Sequence, residues 1–167
     1  DREGQPGGHV DPEDADIFAA YTAKITVVDV KNALLRRFRP EQVARFGNIH
    51  LVYRSLRKRD FEELIRREIE RVAKRVERLF GVSVTIESSV HRLVYRNGVF
   101  PVQGVRPVFS SVVDIVETNL TRALFDALME GTSQVSLAYD TAAATLAITV
   151  GDTDRRVAYD RELADRR

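Results

Sequence analysis

Residues 59–86, RDFEELIRREIERVAKRVERLFGVSVTI, decide the fold class. Phe61, Leu64, Ile65, Ile69, Val72, Ala73, Val76 and Leu79 recur at three- and four-residue steps, with Arg, Lys and Glu between them. That spacing predicts an amphipathic helix over 59–79 with one buried stripe. Asp60 followed by Glu63 reads as a capping-box-like start, and Gly81 as a left-handed stop. Glu63 with Arg67 and Glu70 with Lys74 are four apart in the favourable order, which supports the exposed face. Past the glycine the period changes to two, and residues 82–86, VSVTI, predict a half-buried strand. A charged helix joined to a strand by one glycine belongs to an α/β (α+β) domain.

Towards the C-terminus, Ser88 is positioned to cap a short helix through Val90, Leu93 and Val94 that ends near Asn97 and Gly98. Residues 107–130 predict a second long helix, opened by Pro107 and closed by Gly131. Val112, Val113, Ile115 and Val116 favour strands individually, but they keep helical spacing with Phe109, Leu120, Ala123, Leu124, Ala127 and Leu128. Residues 134–139 and 145–150 alternate as a hairpin, 155–159 as a third strand, and 161–167 as a frayed tail. Towards the N-terminus, residues 49–53 alternate as a strand, 25–28 begin a short strand, and Val30, Leu34 and Leu35 fit a helix face. Residues 1–16 combine Gly, Pro and acids without periodicity and predict a flexible loop.

The bulk composition narrows the functional classes. Twenty-six Lys and Arg against 25 Asp and Glu leave a net charge of +1, which gives no overall field for nucleic acid or an anionic membrane. No apolar run is long enough for a membrane span and no leader precedes a cleavage site, so a cytoplasmic protein is expected. There is no Cys, and His9, His50 and His91 lack metal-ligand spacing, so no metal site is expected. Arg57-Lys58-Arg59, Arg66-Arg67 and Lys74-Arg75 are interspersed with Glu and read as a solvated helix face rather than a nucleic-acid surface. His91 reads as an ordinary boundary histidine, and Tyr139 and Tyr159 as sheet packing.

Two motifs flank the charged helix. The first is Phe38-Arg39-Pro40-Glu41 followed by Arg45. The second is GVFPVQGVRP over residues 98–107, containing Pro101, Gly104, Arg106 and Pro107. The first resembles the FRPEFLNR segment of Clp-type AAA+ unfoldases, and the second resembles their GYDPxYGARP at the start of the last long helix. Motif order, intervening helix, strand and short helix agree with that family over roughly residues 30–131. Ala44, Phe46-Gly47-Asn48 and Val99-Phe100 depart from its pattern.

The resemblance implies a remnant of the AAA+ large domain over 17–56, a small lid domain over 57–160, and tails at 1–16 and 161–167. It implies that Arg45 is an arginine finger presented to a neighbouring subunit's nucleotide. Arg106 would be the sensor-2 arginine that reaches ATP of its own subunit, with Gly104 supplying backbone freedom. Arg39 and Glu41 would be structural. It further implies ATP with Mg²⁺ in a longer parent protein, a ring, most simply a hexamer, and an unfolded or aggregated protein as substrate, with a peptidase as a possible partner. The 167 residues contain no G-x-x-x-x-G-K-[ST] and no strand ending in paired acids, so the chain alone is expected not to hydrolyse ATP. The alternative is a non-catalytic lid-like adaptor.

Overall fold

The computed structural model describes residues 11–47 and 51–159. A 3-10 turn, Pro12–Asp14, runs into α1 (Ala15–Thr22), followed by α2 (Val27–Leu35) and α3 (Pro40–Ala44). Then come α4 (Lys58–Phe80), β1 (Ser83–Ile86), α5 (Ser88–Gly98) and α6 (Arg106–Val112). A π turn, Val113–Glu117, joins α6 to α7 (Thr118–Glu130), and β2 (Gln134–Asp140), β3 (Thr145–Val150) and β4 (Thr153–Ala158) complete the described chain.

The four strands lie in the order β1-β2-β3-β4. β1 pairs parallel with β2, in register Ser83 with Gln134, and the other pairs are antiparallel. A parallel pair needs a long crossover, and α5, α6 and α7 supply it. Period-two alternation puts Val135, Leu137, Leu146, Ile148 and Val150 on the buried face, where they meet the helices. The opposite face carries Ser136, Thr149 and Arg156. α4 contributes Phe61, Ile65, Ile69, Val72 and Val76 to the same core, so most of the stripe read from the sequence is buried, whereas Leu79 at its C-terminal end is exposed because no described element covers that turn. Gly81 ends α4 at φ 67° and Gly131 ends α7 at φ 69°, the left-handed conformation in which glycine has no Cβ penalty.

Several local expectations are corrected. Residues 25–28 are not a strand: Thr26 accepts from the Asp29 amide and Asp29 accepts from the Thr26 amide, a reciprocal cap that starts α2 at Val27. Cap chemistry overrides the β preference of the two valines. The flexible loop expected over 1–16 is corrected from Pro12 onward, because Asp11 caps the 3-10 turn through the Glu13 amide and Pro12 and Ala15 are buried; residues 1–10 lie outside the described residues. In the strand expected over 49–53, Leu51–Tyr53 has no regular structure, and Ile49 and His50 lie outside the described residues. α4 starts one turn earlier than the Asp60–Glu63 reading, with Asp60 accepting from the Arg57 amide. Ser88 is the first residue of α5 rather than its cap, and Glu87 occupies the cap position. The third strand of the C-terminal sheet begins at Thr153 rather than Arg155, and the expected tail 161–167 lies outside the described residues.

The helix expected over 107–130 is continuous but under-wound at its centre. Between the single buried residues Val108 and Ala127, its buried residues fall in pairs, Ser111/Val112, Ile115/Val116, Asn119/Leu120 and Ala123/Leu124, each four positions after the last. An α-helix advances about 100° per residue, so a repeat of four drifts about 40° per step and would carry the stripe off the core. The π turn takes up that drift: the Thr118 amide donates to Val113 O, and Thr118 Oγ1 donates to the same carbonyl at 3.0 Å.

α2 and α3 stand apart from this core. Only Val43 is buried in either of them. Thr22 Oγ1 donates to Ser55 Oγ at 2.9 Å, tying together the two ends of the excursion that contains them.

Candidate functional site

The second motif forms one compact corner between α5 and α6. Val99 is fully buried and Pro101 is buried beside it, so the chain leaves α5 along a fixed path. Gln103 N donates to Phe100 O at 2.8 Å, Phe100 and Gly104 form an isolated bridge, and Gly104 sits at φ 73°. The turn therefore requires glycine at 104. Arg106 and Pro107 are the first two residues of α6, and Val108 (0% exposed) and Val112 anchor the helix in the core.

The Arg106 side chain is exposed and has no ion-pair partner among the described residues. With Asn97, Gln103, Pro107 and Ser110 it lines an open cleft of about 430 Å³. A guanidinium presents a planar fork of donors suited to phosphate or carboxylate oxygens. Here that fork is mounted at the start of a helix whose opposite face is core.

One residue that sequence reasoning missed sets the position of α6. Gly98 is buried, and a Cβ built on it would lie 2.8 Å from Ser111 Oγ and 3.0 Å from Val108 Cα. α5 and α6 cross at this glycine. The sequence signal was present in Asn97-Gly98, where the glycine was read as a stop; it is the last residue of α5 and is kept small by packing.

The first motif lies on the α2–α3 excursion. Pro40 opens α3, Gln42 Oε1 accepts from the Arg39 amide at 3.0 Å, and Arg45 is the cap residue at the far end. Arg39, Glu41 and Arg45 are exposed, and Phe38 is 44% exposed. No hydrogen bond or ion pair among the described residues joins this group to the Arg106 corner. The structure thus assembles Pro101, Gly104, Arg106 and Pro107, and separately Phe38, Arg39, Pro40, Glu41 and Arg45.

Several charges of α4 are paired within the fold. Arg66 and Arg67 both bond Glu63, Lys74 bonds Glu70, Arg71 bonds Glu68 and Arg75 bonds Glu117. The Arg66 hydrogen bond, then that of Arg67, hold the Glu63 carboxyl at about 2. Tyr95 Oη donates to Pro12 O at 2.8 Å, and burial followed by the nearby Glu13 charge pushes its hydroxyl up to about 12. Lys58 bonds Glu13 through its ammonium and Asp16 through its backbone amide, so α1 is fastened to the start of α4. His91 Nδ1 contacts Glu87 O at 3.1 Å. Among the described residues no group of three or more His, Asp or Glu is placed to hold a metal ion, and no helix is long and apolar enough to cross a membrane.

Helices covering one face of a small mixed sheet, with an exposed arginine at the glycine turn before the last long helix, define an AAA+ small, or lid, domain. Residues 56–137 match the family described as the C-terminal, D2-small domain, of ClpB protein, and the chain carries the C-terminal part of a Clp-type AAA+ protein. It is similar to chaperone protein ClpD, chloroplastic, of Arabidopsis thaliana, with 31% identity over 113 residues. That match covers 66% of this chain and 11% of ClpD, so the chain spans a small part of the relative's length.

Proposed function

We propose that the chain is the nucleotide-sensing and subunit-contacting end of an ATP-dependent protein unfoldase or disaggregase, with Arg106 as its sensor. The observation that carries this reading is the Arg106 corner: an exposed guanidinium, without an ion-pair partner among the described residues, on a helix whose opposite face packs into the lid core. In a longer parent protein Arg106 would meet phosphate oxygens of ATP, and gain or loss of the γ-phosphate would shift α6 and with it the lid. Arg45 would face the nucleotide of the adjacent subunit in a ring, most simply a hexamer, where a second cation stabilises transition-state charge.

The donor set in this chain fits one cationic contact to a phosphate group. A phosphate-binding loop and acidic Mg²⁺ ligands would come from elsewhere in the parent, so the chain alone would not hydrolyse ATP. Unfolded or aggregated protein is the proposed substrate, a peptidase the proposed further partner, and the cytoplasm the proposed compartment.

The departures around Arg45 favour a second reading, a lid-like adaptor without ATP coupling. Steady-state ATPase kinetics of the parent separate the two. Arg106→Ala is expected to lower turnover or raise KM for ATP at least tenfold, with Arg106→Lys recovering only part, because a point charge lacks the fork. Arg45→Ala is expected to lower turnover with little change in KM. Unchanged kinetics for Arg106→Ala would remove the sensor role and leave the adaptor.

A further inference from the structure

The first half of α4, one side of α5 and the 3-10 turn line a cavity of about 350 Å³ that shares no residue with the Arg106 cleft. Lys58, Glu62 and Ile65 enter it from α4 at positions i, i+4 and i+7, and Arg92, Tyr95 and Arg96 from α5 at i, i+3 and i+4. Cavities that hold small molecules run from about 300 to 1,000 Å³, so this one suits a compact ligand.

The most buried lining residues are apolar or aromatic. Ile65 is 1% and Tyr95 5% exposed. The Tyr95 hydroxyl donates to Pro12 O at 2.8 Å, and Lys58 Nζ lies 5.7 Å from the ring centroid, so the ring is already held in place before any ligand arrives. An apolar body that covers these two side chains leaves water at no cost in rearrangement.

The charges of the lining do not cancel. Lys58 and Glu13 pair with each other. Arg92 and Arg96 are exposed and have no ion-pair partner among the described residues, and Arg92 reaches only the Ser88 hydroxyl, at 3.5 Å. Like charges one helical turn apart repel. Arg96 suits the negative C-terminal end of α5, but Arg92 stands in mid-helix, where that compensation is absent. Glu62, on the α4 side, is also exposed and without an ion-pair partner among the described residues. Two open guanidiniums against one open carboxylate leave a single positive charge in excess.

That balance selects the ligand. A carboxylate matches the planar donor fork of arginine and removes the repulsion between Arg92 and Arg96. A polyanion such as a nucleoside triphosphate would carry more charge than these two side chains neutralise and would meet Glu62 and Glu13.

We propose that this cavity is a binding site for a small monocarboxylate with an apolar or aromatic body, the carboxylate held by Arg92 and Arg96 and the body lying on Ile65 and Tyr95. The site does not rest on the nucleotide reading, because neither Arg106 nor Arg45 lines it. Either assignment can fail alone.

Titration of the isotope-labelled 167-residue chain with hydrocinnamate, followed by two-dimensional amide NMR, tests this. Saturable shift changes are expected at the amides of residues 58–65 and 88–96. The neutral amide of the same acid and acetate, which lacks the body, are each expected to bind at least tenfold more weakly. Arg92→Gln combined with Arg96→Gln should also lose at least tenfold, whereas Arg78→Gln, outside the cavity, should leave the affinity unchanged. If the double variant does not keep the wild-type spectrum, the comparison of acid with amide on the wild-type chain decides. No saturable change at these amides, an amide that binds as tightly as the acid, or a folded double variant with unaltered affinity would each overturn the proposal. ATP shifting the same amides at lower concentration than hydrocinnamate would do so too. Changes centred on Leu79 and Phe125 would equally overturn it, since they place the probe in the apolar groove between α4 and α7.

Discussion

Replacing Gly98 with alanine tests whether the α5–α6 crossing is as tight as it appears from its geometry. The added Cβ would sit 2.8 Å from Ser111 Oγ, 2.9 Å from Ser111 Cβ and 3.0 Å from Val108 Cα. The hydroxyl can rotate away, but the other two atoms move only with α6. Overpacking of this kind costs about 1–3 kcal/mol. Against it stands the gain from replacing glycine by alanine in a helix, about 1 kcal/mol at an interior position and less at the last residue of α5. The balance is a loss of roughly 1–2 kcal/mol, or a fall in Tm of roughly 2–8 °C for a chain of this size. Urea denaturation and thermal melting monitored by circular dichroism give both numbers. Adding Ser111→Gly should restore part of the loss by removing two of the three contacting atoms, although the second glycine weakens α6. Equal or higher stability of Gly98→Ala would refute the tight crossing. The positioning of Arg106 would then need another explanation, because α6 carries both.

Acid titration followed by far-UV circular dichroism should report on Glu63. Its carboxyl is held below the ordinary 4.5, at about 2, so its contribution is complete above pH 4.5 and lost as pH falls towards 2. Glu63→Gln should make stability less dependent on pH across that window, and an unaltered curve would count against the Arg66–Glu63–Arg67 network. Tyr95→Phe removes the donor to Pro12 O and should cost about 1–3 kcal/mol, with faster amide exchange in α1. Because the Tyr95 hydroxyl is raised from 10.0 to about 12, its contribution is intact below pH 10 and lost as pH rises through 12. The variant should therefore lack the wild-type loss of stability on that alkaline limb.

What could be read from the chain in advance follows the range over which each interaction acts. The helix over 59–79, the strand after Gly81 and the hairpin were legible because period and glycine stops are local signals, whereas the lid architecture came from the resemblance carried by the motifs at 38–45 and 98–107. The 25–28 strand failed for a local reason as well: valine preference was weighed without the Thr26–Asp29 pair. By contrast, Tyr95 to Pro12, Thr22 to Ser55 and the Ser89 hydroxyl accepting from Tyr139 N join residues far apart in sequence. No local pattern announces them. The Arg106 corner was visible through its glycine and prolines, whereas Gly98 showed only as a stop because its constraint comes from another helix.

The π turn bears on how this chain tolerates changes in length. Residues 113–117 contain one residue more than an unbroken α-helix would use, and the helices on either side present the core with the faces they would have without it. Val112 and Leu120 are eight positions apart; losing one residue between them leaves seven, the spacing at which an α-helix returns to nearly the same side. Loss of one exposed residue in this turn is thus expected to leave the register of the flanking helices intact. The remainder of α7 has no such slack, since a missing residue there would swing everything beyond it by about 100°. Homologous lids are expected to differ by a single residue at this point of the helix without altering the register of what it packs against.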